Sequence, residues 1–304
     1  MKKIREKYNK ISIAKISLIL FLLVGLSSCS NDNKDVVAIV NDREITKVEF
    51  QNELNFYTKY YANKYGSDYL AMKNEDGKRN LDILKENLLD SMIQDEVMLK
   101  DLEDNDISID KDDVNSLEKE GIDNLNGKDS LKANLSAFDI DLKVYEDVLL
   151  NDVIRKKHKE SFLDNIDISE NKILRFYDKN EDLHQKYKYI ALEFKDENYA
   201  NTLRDSIKNK SLKDLVDKDV QNFNVINSDF VYFDDPLLKK SKMSKKGEIS
   251  NVFSYENSYY ILQITSLNTN EKELILSARD LLYEKEYDHY YKDLMKKARI
   301  KIFN

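Results

Sequence analysis

Val36-Val37-Ala38-Ile39-Val40-Asn41-Asp42-Arg43-Glu44-Ile45-Thr46-Lys47-Val48-Glu49-Phe50 is the stretch on which the fold turns. Five consecutive apolar residues, Val36 to Val40, read as a buried strand, and Asn41-Asp42 turns the chain. Thr46 and Glu49 then stand three apart. At that spacing a hydroxyl and a carboxylate each satisfy a free amide at a helix start. Phe50, Leu54 and Tyr57 follow at helical spacing.

Further along the chain, a second helix is predicted from about 81 to 102, with Leu84, Leu88, Met92, Val97 and Leu99 near one face. Ile107-Ser108-Ile109 reads as a short extended link, and Asp110 with Asp113 opens another helix. Asp101 to Asp113 is acidic, but a calcium loop of the EF-hand type needs a central Gly and a Glu at its twelfth position. Neither is in place, so the segment reads as a solvated turn and an N-cap. Asn126-Gly127 marks a loop, a long helix covers about 141–162, and Ser169-Glu170 starts one more through Tyr177. At Tyr187 the pattern changes. Residues 187–194 alternate like a half-buried strand, 198–217 look helical, and Asp229 to Phe233 is a second strand candidate. Lys245-Lys246-Gly247-Glu248 is a turn, 259–264 is a β run, 271–298 returns to helix, and Ile300 to Phe303 is a β-like tail. The fold class is α+β: a mostly helical module, an inserted small β-α-β domain, and a returning C-terminal helix.

Toward the N-terminus, Lys2, Lys3, Arg5, Lys7, Lys10 and Lys15 precede an apolar run from Ile16 to Leu26. That run is about half of the roughly 20 residues a spanning helix needs, so residues 1–28 read as an export signal. Leu26-Ser27-Ser28-Cys29 resembles the lipobox of bacterial lipoproteins, which implies a diacylated Cys29 and a lipid anchor. Residues 29–35 would be a tether. Cys29 is the single cysteine, so no disulfide can form. Residues 1–28 hold six basic residues and one acidic one, so their removal takes the net charge from −8 to −13. A surface that acidic argues against nucleic-acid partners, which need clustered Lys and Arg. Six Gly and one Pro in 304 residues leave few tight turns and favour long helices.

The opening strand, Asn41-Asp42 and Ile45 to Phe50 resemble the first signature of the SurA/PrsA-type foldases. Leu89 to Glu96 through Ile109, and Ile168-Ser169-Glu170 with Phe176-Tyr177, resemble later ones. The resemblance implies a SurA-like helical chaperone domain at 36–180 and a parvulin-like domain at 185–267. It also implies that 271–304 folds back on the helical part. Apolar helix faces in 50–102 would be mostly core and would partly line a groove for unfolded exported polypeptides. No cofactor and no metal is implied, and the oligomeric state is left open.

Within 185–267, Lys245 to Ser250 is similar to the parvulin turn, and Asn227 to Phe233 occupies the place of another parvulin segment. A prolyl isomerase twists an amide over a barrier of roughly 18–20 kcal/mol. It needs a dry apolar cleft and polar groups matched to the twisted amide. Parvulins carry two histidines on neighbouring strands; here Tyr189 and Tyr260 hold those positions. Asp219 and Asp229 are the candidate acidic residues, and Leu237, Leu238 and Met243 the candidate pocket residues. Two phenols could form a hydrogen-bonding pair in place of the imidazoles; they read more simply as strand aromatics. The three histidines, His158, His184 and His289, lie outside these strands and read as surface residues. The leading expectation is a lipid-anchored extracytoplasmic chaperone with a degenerate isomerase domain. An active isomerase and a lipoprotein serving one envelope-assembly partner are the alternatives.

Overall fold

The computed structural model describes residues 35–74, 76–124, 127–207, 211–216 and 222–303. The signal segment, Cys29, most of the tether and Asp219 lie outside them. Strand β1 (Val36–Val40) turns through Asn41, at φ 56°, into β2 (Arg43–Thr46). Asn and Asp tolerate that left-handed conformation best among residues with a Cβ. Helix α1 (Lys47–Tyr65) starts on the expected capping box. Thr46 Oγ1 accepts from the Glu49 amide at 3.2 Å, and Glu49 Oε2 accepts from the Thr46 amide at 2.8 Å.

Helices α2 (Asn80–Asp104), α3 (Lys111–Asn124), α4 (Lys128–Ala137), α5 (Leu142–Asn165) and α6 (Glu170–Lys179) follow. Asp110 and Asp113 open α3 by exchanging backbone-to-carboxylate hydrogen bonds. Helix α4 is not anticipated by the sequence reading. Its apolar residues are few, and only Leu131 and Leu135 are buried.

The small sheet orders as β4-β3-β6-β5, antiparallel throughout. It consists of β3 (Lys186–Phe194), β4 (Asn224–Asn227), β5 (Phe253–Tyr255) and β6 (Ser258–Asn268). Helices α7 (Glu197–Ile207) and α8 (Lys213–Val216) follow β3, and α9 (Pro236–Ser241) follows β4. Two expectations change here. The strand after α8 is Asn224–Asn227, and 229–233 makes only an isolated bridge from Val231 to Tyr187. Ser228 ends the ladder, its amide donating to the Tyr189 carbonyl and its Oγ accepting from the Tyr189 amide. The helix expected over 198–217 is interrupted at 211–212, so that α7 and α8 are separate elements.

Helix α10 (Glu271–Lys297) returns to the first described strands and is followed by β7 (Ile300–Ile302). β7 pairs antiparallel with β1, in a second sheet ordered β2-β1-β7. Arg299 fastens this closure: its amide donates to Asn41 Oδ1, and its guanidinium reaches both Asp42 oxygens at 3.1 Å. The core beneath combines Ala38, Val40, Ile45, Leu54, Leu88, Met92 and Val97 with Leu294, Met295 and Ile300 from the far end of the sequence. The fold is thus α+β, with the small sheet inserted between a helical module and its own closing element. Among the described residues no helix is long and apolar enough to cross a membrane.

One histidine departs from expectation. His158 is 1% exposed, whereas His184 and His289 lie at the surface. Nδ1 of His158 lies 2.9 Å from the Tyr287 hydroxyl and Nε2 lies 3.1 Å from Asp101 Oδ2. The neutral tautomer with its proton on Nε2 satisfies both contacts, donating to Asp101 and accepting from Tyr287. Tyr290 donates to the same Asp101 oxygen at 2.7 Å. A polar group is affordable inside because each of its hydrogen bonds is made.

Candidate functional site

The β3–β6 ladder positions the residues singled out in the small domain. Tyr189 lies opposite Ile264, and Tyr260 lies opposite Glu193. Both rings sit on one face of the sheet, but four positions apart along the strands. At roughly 3.2–3.4 Å per residue that is about 13 Å, beyond any direct hydrogen bond. The two phenols therefore do not form a pair.

Each has another partner. The Tyr189 hydroxyl donates to Asp235 Oδ1 at 3.0 Å, and that same oxygen accepts from the Leu238 amide at the start of α9. Burial, with the Asp235 carboxylate beside it, pushes Tyr189 well above the ordinary phenol range. Its proton is therefore held at neutral pH. Tyr260 stacks on Phe253, its neighbour across the β5–β6 ladder, with ring centroids 5.8 Å apart. Burial and then Glu193 raise its pKa as well.

Leu238 is fully buried among Tyr187, Tyr189, Ala191, Leu262 and Ile264, with Leu237 and Met243 half-buried at the edge of that cluster. These side chains fill the face of the sheet. Asp229 is exposed on the loop after β4. The turn at 245–250 is held against β6: Gly247, at φ 86°, donates to the Ile264 carbonyl, the Ser250 amide donates to the Leu262 carbonyl, and Ser250 Oγ accepts from the Leu262 amide. Buried Gln263 accepts from the Leu212 amide and donates to the Gly247 carbonyl, tying the turn to α8. The structure thus ties Tyr189 to Leu238 through Asp235, a residue the sequence did not single out, with Leu237 and Met243 packed on the same apolar cluster. Tyr260 and Asp229 stay apart from them.

A different surface stands out on the helical module. Tyr60, Tyr61 and Tyr65 on the last turns of α1 gather with Tyr69 of the following short turn. Tyr65 and Tyr69 lie 4.7 Å apart between centroids, and Tyr61 lies 6.0 Å from each. The Lys64 ammonium sits over Tyr60 and Tyr65. Tyr60, Tyr65 and nearby Met72 are exposed. Stacked rings with wet hydroxyls offer apolar area and hydrogen-bonding edges together. The spacing of Tyr61 and Tyr65 was visible in the sequence, since positions four apart share a helix face, whereas Tyr69 is brought beside them by the short turn after Gly66. Among the described residues no group of three His, Cys, Asp or Glu side chains could hold a metal ion.

Comparison with known proteins bears on the same module. Residues 1–139 match the family model of the SurA-like N-terminal domain. A foldase protein PrsA from Caldanaerobacter subterraneus subsp. tengcongensis is 29% identical over 167 residues, covering 49% of this chain and 53% of that protein. The chain thus spans about half the length of this curated relative. Among solved structures, a chain from the study of the SurA-like chaperones PEB4 and Cj1289 of Campylobacter jejuni covers 89% of this chain and 99% of its own length. Its identity is 15% and its TM-score 0.42. The peptidylprolyl isomerase PrsA of Bacillus anthracis covers 69% of this chain and 94% of its own, at 18% identity and a TM-score of 0.34. The N-terminal part of this chain, through residue 139, is thus similar to the SurA-like N-terminal domain, and its sequence is similar to that of a PrsA foldase.

Proposed function

We propose that this protein is a lipid-anchored extracytoplasmic chaperone that holds exported polypeptides while they fold, and that its small domain binds or spaces without isomerase chemistry. The observation that carries the second half is the placement of the phenols. Tyr189 is committed to Asp235 and Tyr260 to an aromatic stack, about 13 Å apart along a filled sheet face. Among the described residues, Tyr189 and Tyr260 do not flank a common cleft in which a prolyl amide could twist.

Client contact would fall on the tyrosine platform of α1, an exposed aromatic surface of the kind that marks interaction sites. The sequence at 26–29 supports the anchor: two acyl chains on Cys29 would suffice for stable attachment without a spanning helix.

Three measurements test the reading. The full-length mature protein should slow aggregation of an unfolded client at equimolar ratio, and Tyr65→Ser with Tyr69→Ser should weaken that effect several-fold. NMR exchange spectroscopy on Ala-Pro peptides should show no catalysed cis/trans exchange; catalysis there would overturn the degenerate-domain reading. Mass spectrometry of membrane fractions should find two acyl chains on Cys29, and Cys29→Ser should release the protein.

A further inference from the structure

A second polar cluster lies inside the helical module, in the seam between α1, α2 and α5. Glu53 of α1 is 8% exposed, and its Oε1 accepts from the Asn151 amide of α5 at 2.9 Å. Asp95 of α2, also buried, takes both of its hydrogen bonds from Arg155 of α5, at 2.6 and 2.5 Å. The same guanidinium reaches Ser91 at 2.8 Å and Asp152 at 3.1 Å. Four of the five N–H groups of Arg155 are therefore engaged by Asp95, Asp152 and Ser91, while the hydrogen-bond partner of Glu53 is the neutral amide of Asn151.

The remaining ionisable groups around the seam do not relieve it. Asp147 of α5 adds negative potential at Glu53. Tyr57 of α1 and Tyr291 of α10 are buried phenols whose ionisation is pushed upward, so both are neutral. Glu96 of α2 faces away toward Arg43, at 3.7 Å.

We propose that Glu53 is a proton-operated latch: protonated, it packs as a neutral hydrogen-bonded group that fastens α1 to α5; ionised, it becomes a buried charge without a cation and loosens α1. A buried carboxylate lacking a counter-ion takes up a proton in preference to staying charged. Burial raises Glu53 from its ordinary 4.5 to about 7, with Asp95 and Asp147 adding to the rise against the opposing Asn151 bond and Arg155. The latch would thus open across neutral pH. Because α1 also carries the tyrosine platform, the same proton would set how firmly that surface is held. That consequence rests on the client reading; the latch does not.

A raised folded-state pKa contributes stability that is complete below the unfolded value and is lost as pH climbs through the folded one. Urea unfolding of the full mature protein and of Glu53→Gln, from pH 5 to 7.5, tests this. Glutamine mimics the protonated state, so the unfolding constant of the wild type should rise relative to the variant by roughly fiftyfold over that range. Other titrating groups contribute to both proteins and largely cancel in the comparison. Parallel pH curves for the two would overturn the proposal. Should the variant fail to fold, carbon-13 NMR titration of the Glu53 carboxyl in the wild type decides. A midpoint near neutrality supports the latch, and one in the ordinary carboxylate range removes it.

Discussion

Tyr189 stands where a catalytic imidazole was to be replaced, and its hydroxyl instead shares Asp235 with the first turn of α9. Tyr189→Phe leaves the Leu238 amide bond to Asp235 intact, so the loss should be about 1 kcal/mol, the usual net worth of one hydrogen bond. Chemical denaturation measures it; a loss of several kcal/mol would mean that the phenol supports far more than this contact. His158 works in the opposite sense to Glu53. Burial lowers its pKa, with Asp101 pulling the other way. A depressed imidazole contributes stability that is complete above its unfolded value near 6.5 and is lost as pH falls below it. We expect His158→Gln to be less stable at pH 7.5 yet to lose less on acidification to pH 5 than the wild type. Thermal melts at the two pH values would show it. Neither role was legible in the sequence, because both depend on partners 46 or more residues away.

Elements ruled by short-range contacts were the readable ones. The capping box at Thr46 and Glu49 lies within one turn, and α1, α2, α5 and α10 follow their apolar spacing. Thr46→Ala removes one side of that box and should cost about 1 kcal/mol. Hydrogen exchange should speed mainly at the first amides of α1, and a uniform increase over the whole chain would contradict a local cap. Strands β2, β4 and β5 were missed or displaced for one reason. A short strand is defined by its partner, and Asn224–Asn227 shows little apolar alternation of its own while it pairs with Ile190 to Glu193. The more apolar Phe230 to Phe233 segment was the better strand by composition, but it packs as a loop against Tyr187.

On the scale of the whole molecule, the first and last described strands meet. β1 sits between β2 and β7, so the first sheet is incomplete without residues from the last part of the sequence. Leu294, Met295 and Ile300 pack into the core under β1. The segment 36–180 alone should therefore lack a cooperative thermal transition by circular dichroism and regain one when a 271–304 peptide is supplied. A stand-alone 36–180 melting like the intact protein would show the closing helix and strand to be dispensable. The sequence by itself determined the α+β class, the helix starts and the apolar sides of the long helices. These follow from periodicity and from contacts a few residues apart. Only the tertiary structure decided that the two tyrosines lie apart, that His158 and Glu53 are buried, and that four tyrosines share one surface. Those are matters of register and helix crossing, and they arise where segments distant in the chain are pressed together out of water.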